Sequence, residues 1–374
     1  MTNRVPFAAV TLALTVTLAI AGYALAGRSN GCHGNSCYSR TTSEVCSRES
    51  LAACPASYFV GPLGDNNLIP AAPGAFLIDL YGGYGTTYEQ WQTGVLQRET
   101  DMGRPFDGLG FHYDGGGTWD GVYGMNPPVG AEQWIHDHGS FPVISWTPNY
   151  TLTQMNAGAA DAIWAKAAAY FASLGFPVML RAFVEFDGTP TYAGCGAPLI
   201  SAWQRMVNVF EADGASKVGF FWSPTEGQNR ACISSSYPGD AYVDWVGSDW
   251  YNSCLTDGTG WCTPLHPGWA SFDELFNYTA LGSTSTSQHD AWGPHKPFVV
   301  GETGTWYDTP KGQWFRDIPA AAEQMQWLRG IEFYDSDVSA VEGARNNFRV
   351  DCPTSDQTVY DGWLAMAADP LFNS

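Results

Sequence analysis

Two carboxylates stand where apolar runs break off. Residues 178–183 suit a buried strand, yet charge arrives at Arg181, Glu185 and Asp187. Charged groups beside a buried run cost free energy unless they are partnered or used. A second run, 297–301, ends at Glu302, followed by Thr303 and Gly304. Taken singly, either glutamate reads equally well as a loop carboxylate beside a strand end. As a pair from separate strands they suit glycosidic bond cleavage, in which an acid protonates the leaving oxygen and a carboxylate meets the oxocarbenium-like carbon. In a barrel of parallel strands such groups gather at the carboxyl ends.

The rest of the chain supplies elements to position them. From residue 61 onward, short β-rich apolar runs alternate with segments of helical period. Strands are expected at 75–81, 109–113, 142–146, 178–183, 217–222, 245–250, 298–301 and, more weakly, 338–341. Helices are expected at 129–138, 157–174, 200–212, 272–281, 313–329 and near 361–368. Eight strands alternating with helices predict an α/β fold, a (β/α)8 TIM barrel of one catalytic domain, residues 61–374; a doubly wound open sheet is the alternative. Glu185 then ends the fourth strand and Glu302 the seventh, on opposite sides of one mouth.

The other strand ends carry rings and acids. The second runs into His112, Tyr113 and Asp114; the third into Trp146; the fifth into Trp222; the sixth into Asp249, Trp250 and Tyr251; the seventh into Trp306. Composition agrees, since charged residues and aromatics each make up 14% of the chain and tryptophans number 16. Flat rings and neutral hydrogen-bonding groups suit sugars, although a large aromatic core would give the same count. Trp146, Trp222, Trp250 and Trp306 are therefore candidate stacking platforms, with one or two expected to belong to the packed barrel. His112 and Asp114 are candidate contacts to sugar hydroxyls, or plain loop residues, and Asp249 is a further candidate contact to the substrate.

Other chemistries lack support. A net charge of −20 argues against nucleic acid as a partner. The glycines at 115–117 have no Lys-Ser/Thr after them, so no phosphate cradle is read, and no Gly-x-Ser-x-Gly elbow occurs. His136 and His138 fall on different faces of a helix and read as surface residues. Cys32, His33 and Cys37 are too sparse a set to imply zinc. No metal and no cofactor is expected.

Arg4, an apolar run over 7–25 and small residues at Ala24 and Ala26 predict a signal peptide over 1–26, with a membrane anchor as the alternative. The mature protein is expected to be secreted, free of the membrane and monomeric. All nine cysteines follow that segment, and export permits disulfides. Four crowd into a Cys-rich lead-in over 27–60. Cys254 with Cys262 can close a short loop, Cys195 with Cys232 can join two neighbouring loops, and the odd count leaves at least one thiol over.

Several of these stretches together resemble glycoside hydrolase family 26: Arg181 with Glu185, the Phe-Phe-Trp-Ser-Pro ending at Pro224, the passage from Tyr237 to Tyr251, and Lys296 to Gly304 around Glu302. The resemblance spans roughly residue 61 to the C-terminus and implies a retaining barrel with Glu185 as acid/base, Glu302 as nucleophile, Arg181 keeping Glu302 ionised and Tyr251 orienting it. It implies endo-acting β-mannan hydrolysis first, with mixed-linkage β-glucan and β-1,3-xylan as minority activities. The chain departs from the family pattern at Val184, where mannanases usually carry His, and at Asp187, where they carry Asn. An inward Asp187 would raise the pKa of Glu185; an outward one would cap the loop. A carbohydrate-binding barrel without catalysis is the competing reading.

Overall fold

The computed structural model describes residues 32–33, 36–37, 74–81, 87–115, 130–188, 194–225, 230–262, 267–276, 296–308, 310–325, 328–336, 347–351 and 356–372. The expected signal peptide and most of the Cys-rich lead-in lie outside them. Cys32–His33 pairs antiparallel with Ser36–Cys37 in a unit formed by Met1–Thr42.

Eight parallel strands close into a barrel: β1 Phe76–Tyr81, β2 Gly108–Gly115, β3 Phe141–Pro148, β4 Val178–Ala182, β5 Val218–Trp222, β6 Trp245–Asn252, β7 Phe298–Thr305 and β8 Leu328–Tyr334. Helices cross between them: α1 Tyr88–Met102, α2 Ala131–His138, α3 Leu152–Asn156, α4 Asp161–Leu174, α5 Ala197–Ala212, α6 Arg230–Ser235, α7 Phe272–Phe276, α8 Lys311–Glu323 and α9 Gln357–Ala367. Both faces of each strand are buried, one against helices and one against the barrel axis, which is why the strands read as continuous apolar runs. α1 was not among the expected helices, although Thr87 and Gln90 form a capping box at its start. Its Arg98 reaches Asp79 of β1 at 3.2 Å and also Asp335 just after β8, tying the seam between first and last strands.

The eighth strand corrects the sequence reading. Residues 328–329 were expected in a helix and the strand at 338–341; α8 ends at Glu323, and Leu328–Tyr334 pairs with both β7 and β1. Residues 338–341 lie outside the described residues. Arg329 and Glu332 hid the strand, because they give an amphipathic pattern to a segment whose side chains are buried at both charges.

Alternation along the strands fixes what reaches the axis. Ile78, Val143, Met179, Phe221, Trp245 and Val299 form one apolar cluster inside the barrel. Counting two residues onward from Val143, Met179 and Phe221 gives Ser145, Arg181 and Ser223, and the axis turns polar at that level. The residues between them, Ile144, Leu180 and Trp222, belong to the outer core beneath the helices.

Candidate active site

Arg181 is the hub of the polar layer. Fully buried, it donates to Glu302 Oε1 at 2.5 Å, to Ser145 Oγ at 3.2 Å and to the Gly301 carbonyl at 3.3 Å, and it pairs with Asp249. Ser223 Oγ donates to the other oxygen of Asp249 at 2.9 Å. Glu302 receives a further hydrogen bond from the Tyr251 hydroxyl on its second oxygen, and His112 Nε2 lies 3.4 Å from the first. Burial alone would push the Glu302 carboxyl up, but Arg181, His112 and the Tyr251 hydroxyl outweigh it and hold it below the ordinary glutamate range. An ionised, oriented carboxylate results.

Glu185 is built the opposite way. Past β4 the chain turns through Phe183 at φ 55° and Glu185 at φ 50°, left-handed conformations that cost a residue with a side chain roughly 1–3 kcal/mol each. Packing and hydrogen bonds hold the turn against that cost. Phe183 N–H donates to the Trp146 carbonyl, Glu185 N–H to the Ser223 carbonyl, and Gly188 N–H to the Glu185 carbonyl. The buried Phe183 ring lies 5.6 Å from Trp203, and Phe186 lies 5.2 Å from Trp222. Glu185 is thereby presented at the mouth. Burial and the Glu302 charge raise its pKa to about 7, against a smaller lowering by Arg181, and Asp187 adds the least of the raising influences. Asp187 takes two hydrogen bonds from Thr225, on N–H at 2.8 Å and Oγ1 at 2.6 Å. It therefore does both things considered for it, capping the loop and adding charge near Glu185. Val184 is buried.

The tryptophans distribute differently from expectation. Trp146 and Trp222 are at most 1% exposed and face the outer core, so neither offers a ring to a ligand. They follow Ser145 and Phe221, which take the inward positions, and their work is to floor the Glu185 turn. Trp250 packs half-buried against the same outer core. Trp306 is 2% exposed, beneath other rings. Asp249 is likewise buried under the mouth and supports Arg181, where a sugar contact was expected. The Asp114 side chain lies outside the described residues.

Glu332 on β8 was missed. It is fully buried on the axis, neither oxygen has a hydrogen-bond partner among the described residues, and burial raises its pKa well above the usual range. A Cβ added at Gly110 of β2 would stand 2.2 Å from its Oε1, so the bare glycine makes room for it. Ser145 and Ser223 were also missed; a lone serine inside an apolar strand was the available signal. Both foreseen disulfides, Cys195–Cys232 and Cys254–Cys262, are formed.

With that geometry in place, likeness to known proteins carries weight. Residues 150–283, which include β4 to β6 with Arg181, Glu185, Asp249 and Tyr251, match the model of Glycosyl hydrolase family 26. Over that segment the chain is similar to the family. Glu302 lies beyond the matched segment. Endoglucanase H of Acetivibrio thermocellus is 28% identical over 181 residues, 45% of this chain but 18% of that much longer protein. The barrel resembles a family 26 β-mannanase from Bacteroides ovatus (TM-score 0.58, 16% identity, 80% of this chain and 89% of the other) and a modular endo-β-1,4-mannanase from Cellulomonas fimi (0.53, 17%, 80% and 71%). At such identities the structural likeness speaks for the (β/α)8 fold alone. The chain has the (β/α)8 fold expected of it.

Proposed function

We propose that the protein is a secreted, retaining endo-β-glycanase acting on β-1,4-mannan, with Glu302 as nucleophile and Glu185 as acid/base. The observation that carries this is the contrast between the two carboxyl groups: Glu302 held ionised by Arg181, His112 and Tyr251, Glu185 raised to about 7. Glu302 attacks the anomeric carbon while Glu185 delivers its proton to the departing oxygen. Once Glu302 is esterified its charge is gone, and with it one of the influences raising Glu185. Glu185 then ionises more readily and takes the proton of the incoming water, so one residue serves as acid and base in turn.

Mannan is favoured by the mannanases whose barrels resemble this one; the name of Endoglucanase H and the Val184 departure keep β-1,3/1,4-glucan and xylan as the second reading. A binding barrel without catalysis is disfavoured, because both carboxylates and their supports are in place. Export is part of the proposal and is supported by the two disulfides; among the described residues no helix is long and apolar enough to cross a membrane. The polymer is the partner, met by a single chain.

Proton NMR of fresh digests tests the reading. Purified protein with mannan, mixed-linkage glucan and xylan is expected to release reducing ends from mannan, with the β anomer appearing first. Binding of a polymer without release of reducing ends from any of the three would sink the enzyme reading, and a first-formed α anomer would sink retention.

A further inference from the structure

The segment leaving β6 is fastened at many points. Cys254 bonds to Cys262 across it, Cys254 and Gly260 form an antiparallel bridge, and Leu255 N–H donates to the Thr259 carbonyl at 2.8 Å. Thr256 donates to the Asp308 carboxylate twice, from N–H at 2.8 Å and Oγ1 at 2.6 Å, which ties the loop to the chain just past β7. Thr259 is bound to Asp257 in the same double manner. Trp261 N–H donates to the Ser253 carbonyl at 2.9 Å.

What this fastening presents is an indole in water. Trp261 is 56% exposed, although its neighbour Trp306 is 2% exposed. The two rings lie 5.1 Å apart at 54°. Beneath them Trp306 lies 6.2 Å from Phe348, and Phe348 4.7 Å from Tyr251, whose hydroxyl reaches Glu302. Gly260 makes the stack fit: at φ 106°, with an added Cβ 2.9 Å from the Trp306 ring and 2.3 Å from the Ser253 carbonyl, no other residue lies there without displacement. A scattered apolar side chain on a surface needs no explanation. A large one held by a disulfide, a glycine and a buried row of rings leading to a catalytic carboxylate is a built feature.

We propose that Trp261 is a stacking platform for a pyranose unit of the polysaccharide, on the rim above β6 and β7, at a subsite away from the bond being cleaved. The indole face meets the apolar CH face of the sugar, and the buried rings below keep it in place without a further ordering cost. Trp306, expected from sequence as a platform itself, is the support of one. A polymer lying across the mouth would touch Glu302 with one unit and Trp261 with another.

Because the inference rests on the glycanase reading, its test measures binding separately from turnover. β-1,4-Linked mannohexaose and cellohexaose are titrated calorimetrically into the Glu302→Ala variant and into the same variant carrying Trp261→Ala. The expected result is a Kd for the better-bound hexaose raised about three- to tenfold by loss of the indole, a smaller change for the matching disaccharide, and partial recovery with Trp261→Phe. A Kd unchanged at both chain lengths overturns the platform, as does failure of both hexaoses to bind Glu302→Ala. Should binding depend on Trp261 while the intact chain releases no reducing ends, the catalytic reading fails and the platform stands.

Discussion

The ends of β4 and β7 carry the same side chain and treat it in opposite ways. Glu302 stays within its strand, just after a register shift at Gly301, with Arg181, Tyr251 and His112 around it. Glu185 sits past the end of its strand in a left-handed turn floored by Trp146, Trp203 and Trp222. Burial penalises the charge of both; Arg181, His112 and Tyr251 outweigh that penalty for Glu302, while the lowering by Arg181 does not outweigh it for Glu185. The lesson is that the proposed acid and the proposed nucleophile are told apart by what lies beneath each carboxylate, and that the costlier backbone falls at the group proposed to hold its proton.

The largest break in that contrast removes Glu302. Glu302→Ala is expected to lower kcat on the cleaved polymer by at least about 10^4-fold, the order seen when a group acting as part of a catalytic unit is lost, with the circular dichroism spectrum unchanged. Glu185→Gln should cost about 10^2- to 10^4-fold on natural linkages and much less on a 4-nitrophenyl glycoside, whose leaving group needs no proton; equal losses on both substrates would count against the acid role. Tyr251→Phe removes one hydrogen bond to an ionised group, worth about 1.5–3 kcal/mol, and should slow turnover roughly ten- to hundredfold. It should also move the acidic limb of the pH profile upward, since the Tyr251 hydroxyl helps to hold Glu302 down.

The smallest effect concerns Glu332, a further buried carboxyl on the barrel axis. Its pKa is raised on folding from an unfolded value of about 4.3, so above that pH the folded state holds a proton the unfolded chain gives up. Its contribution is fully present below about pH 4.3 and is lost as pH rises toward the elevated folded value. Glu332→Gln, neutral at every pH, is expected to fold and to flatten the decline in denaturant stability between pH 5 and pH 8. A decline as steep as that of the unsubstituted chain would mean that other groups, such as Asp79 and Asp244, both raised to about 7 by burial, set the slope.

Much of this was legible in the chain because a barrel strand is buried on both faces: seven of the eight strands announce themselves as apolar runs, and the charges that end the fourth and seventh stand out against them. The same double burial hid the rest. An apolar run does not show which of its residues face the axis, so Trp146 and Trp222 looked like mouth residues when Ser145 and Phe221 held the inward places. Glu332 and Arg329 disguised β8, since buried charge reads as exposure. Trp261 carried a signal in its position beside Cys262, within a loop that Cys254 could close, but only the structure shows which ring stands outside the stack.

That the two glutamates are poised at opposite ends of the carboxylate range is tested by the pH dependence of kcat/KM on a β-1,4-linked manno-oligosaccharide, whose leaving oxygen needs the proton of Glu185. The account predicts a bell with its acidic limb below the ordinary glutamate range, from Glu302, and its basic limb near pH 7, from Glu185, the latter vanishing in Glu185→Gln. A limb near pH 7 that survives in Glu185→Gln, or a profile with no limb above pH 5, would contradict it.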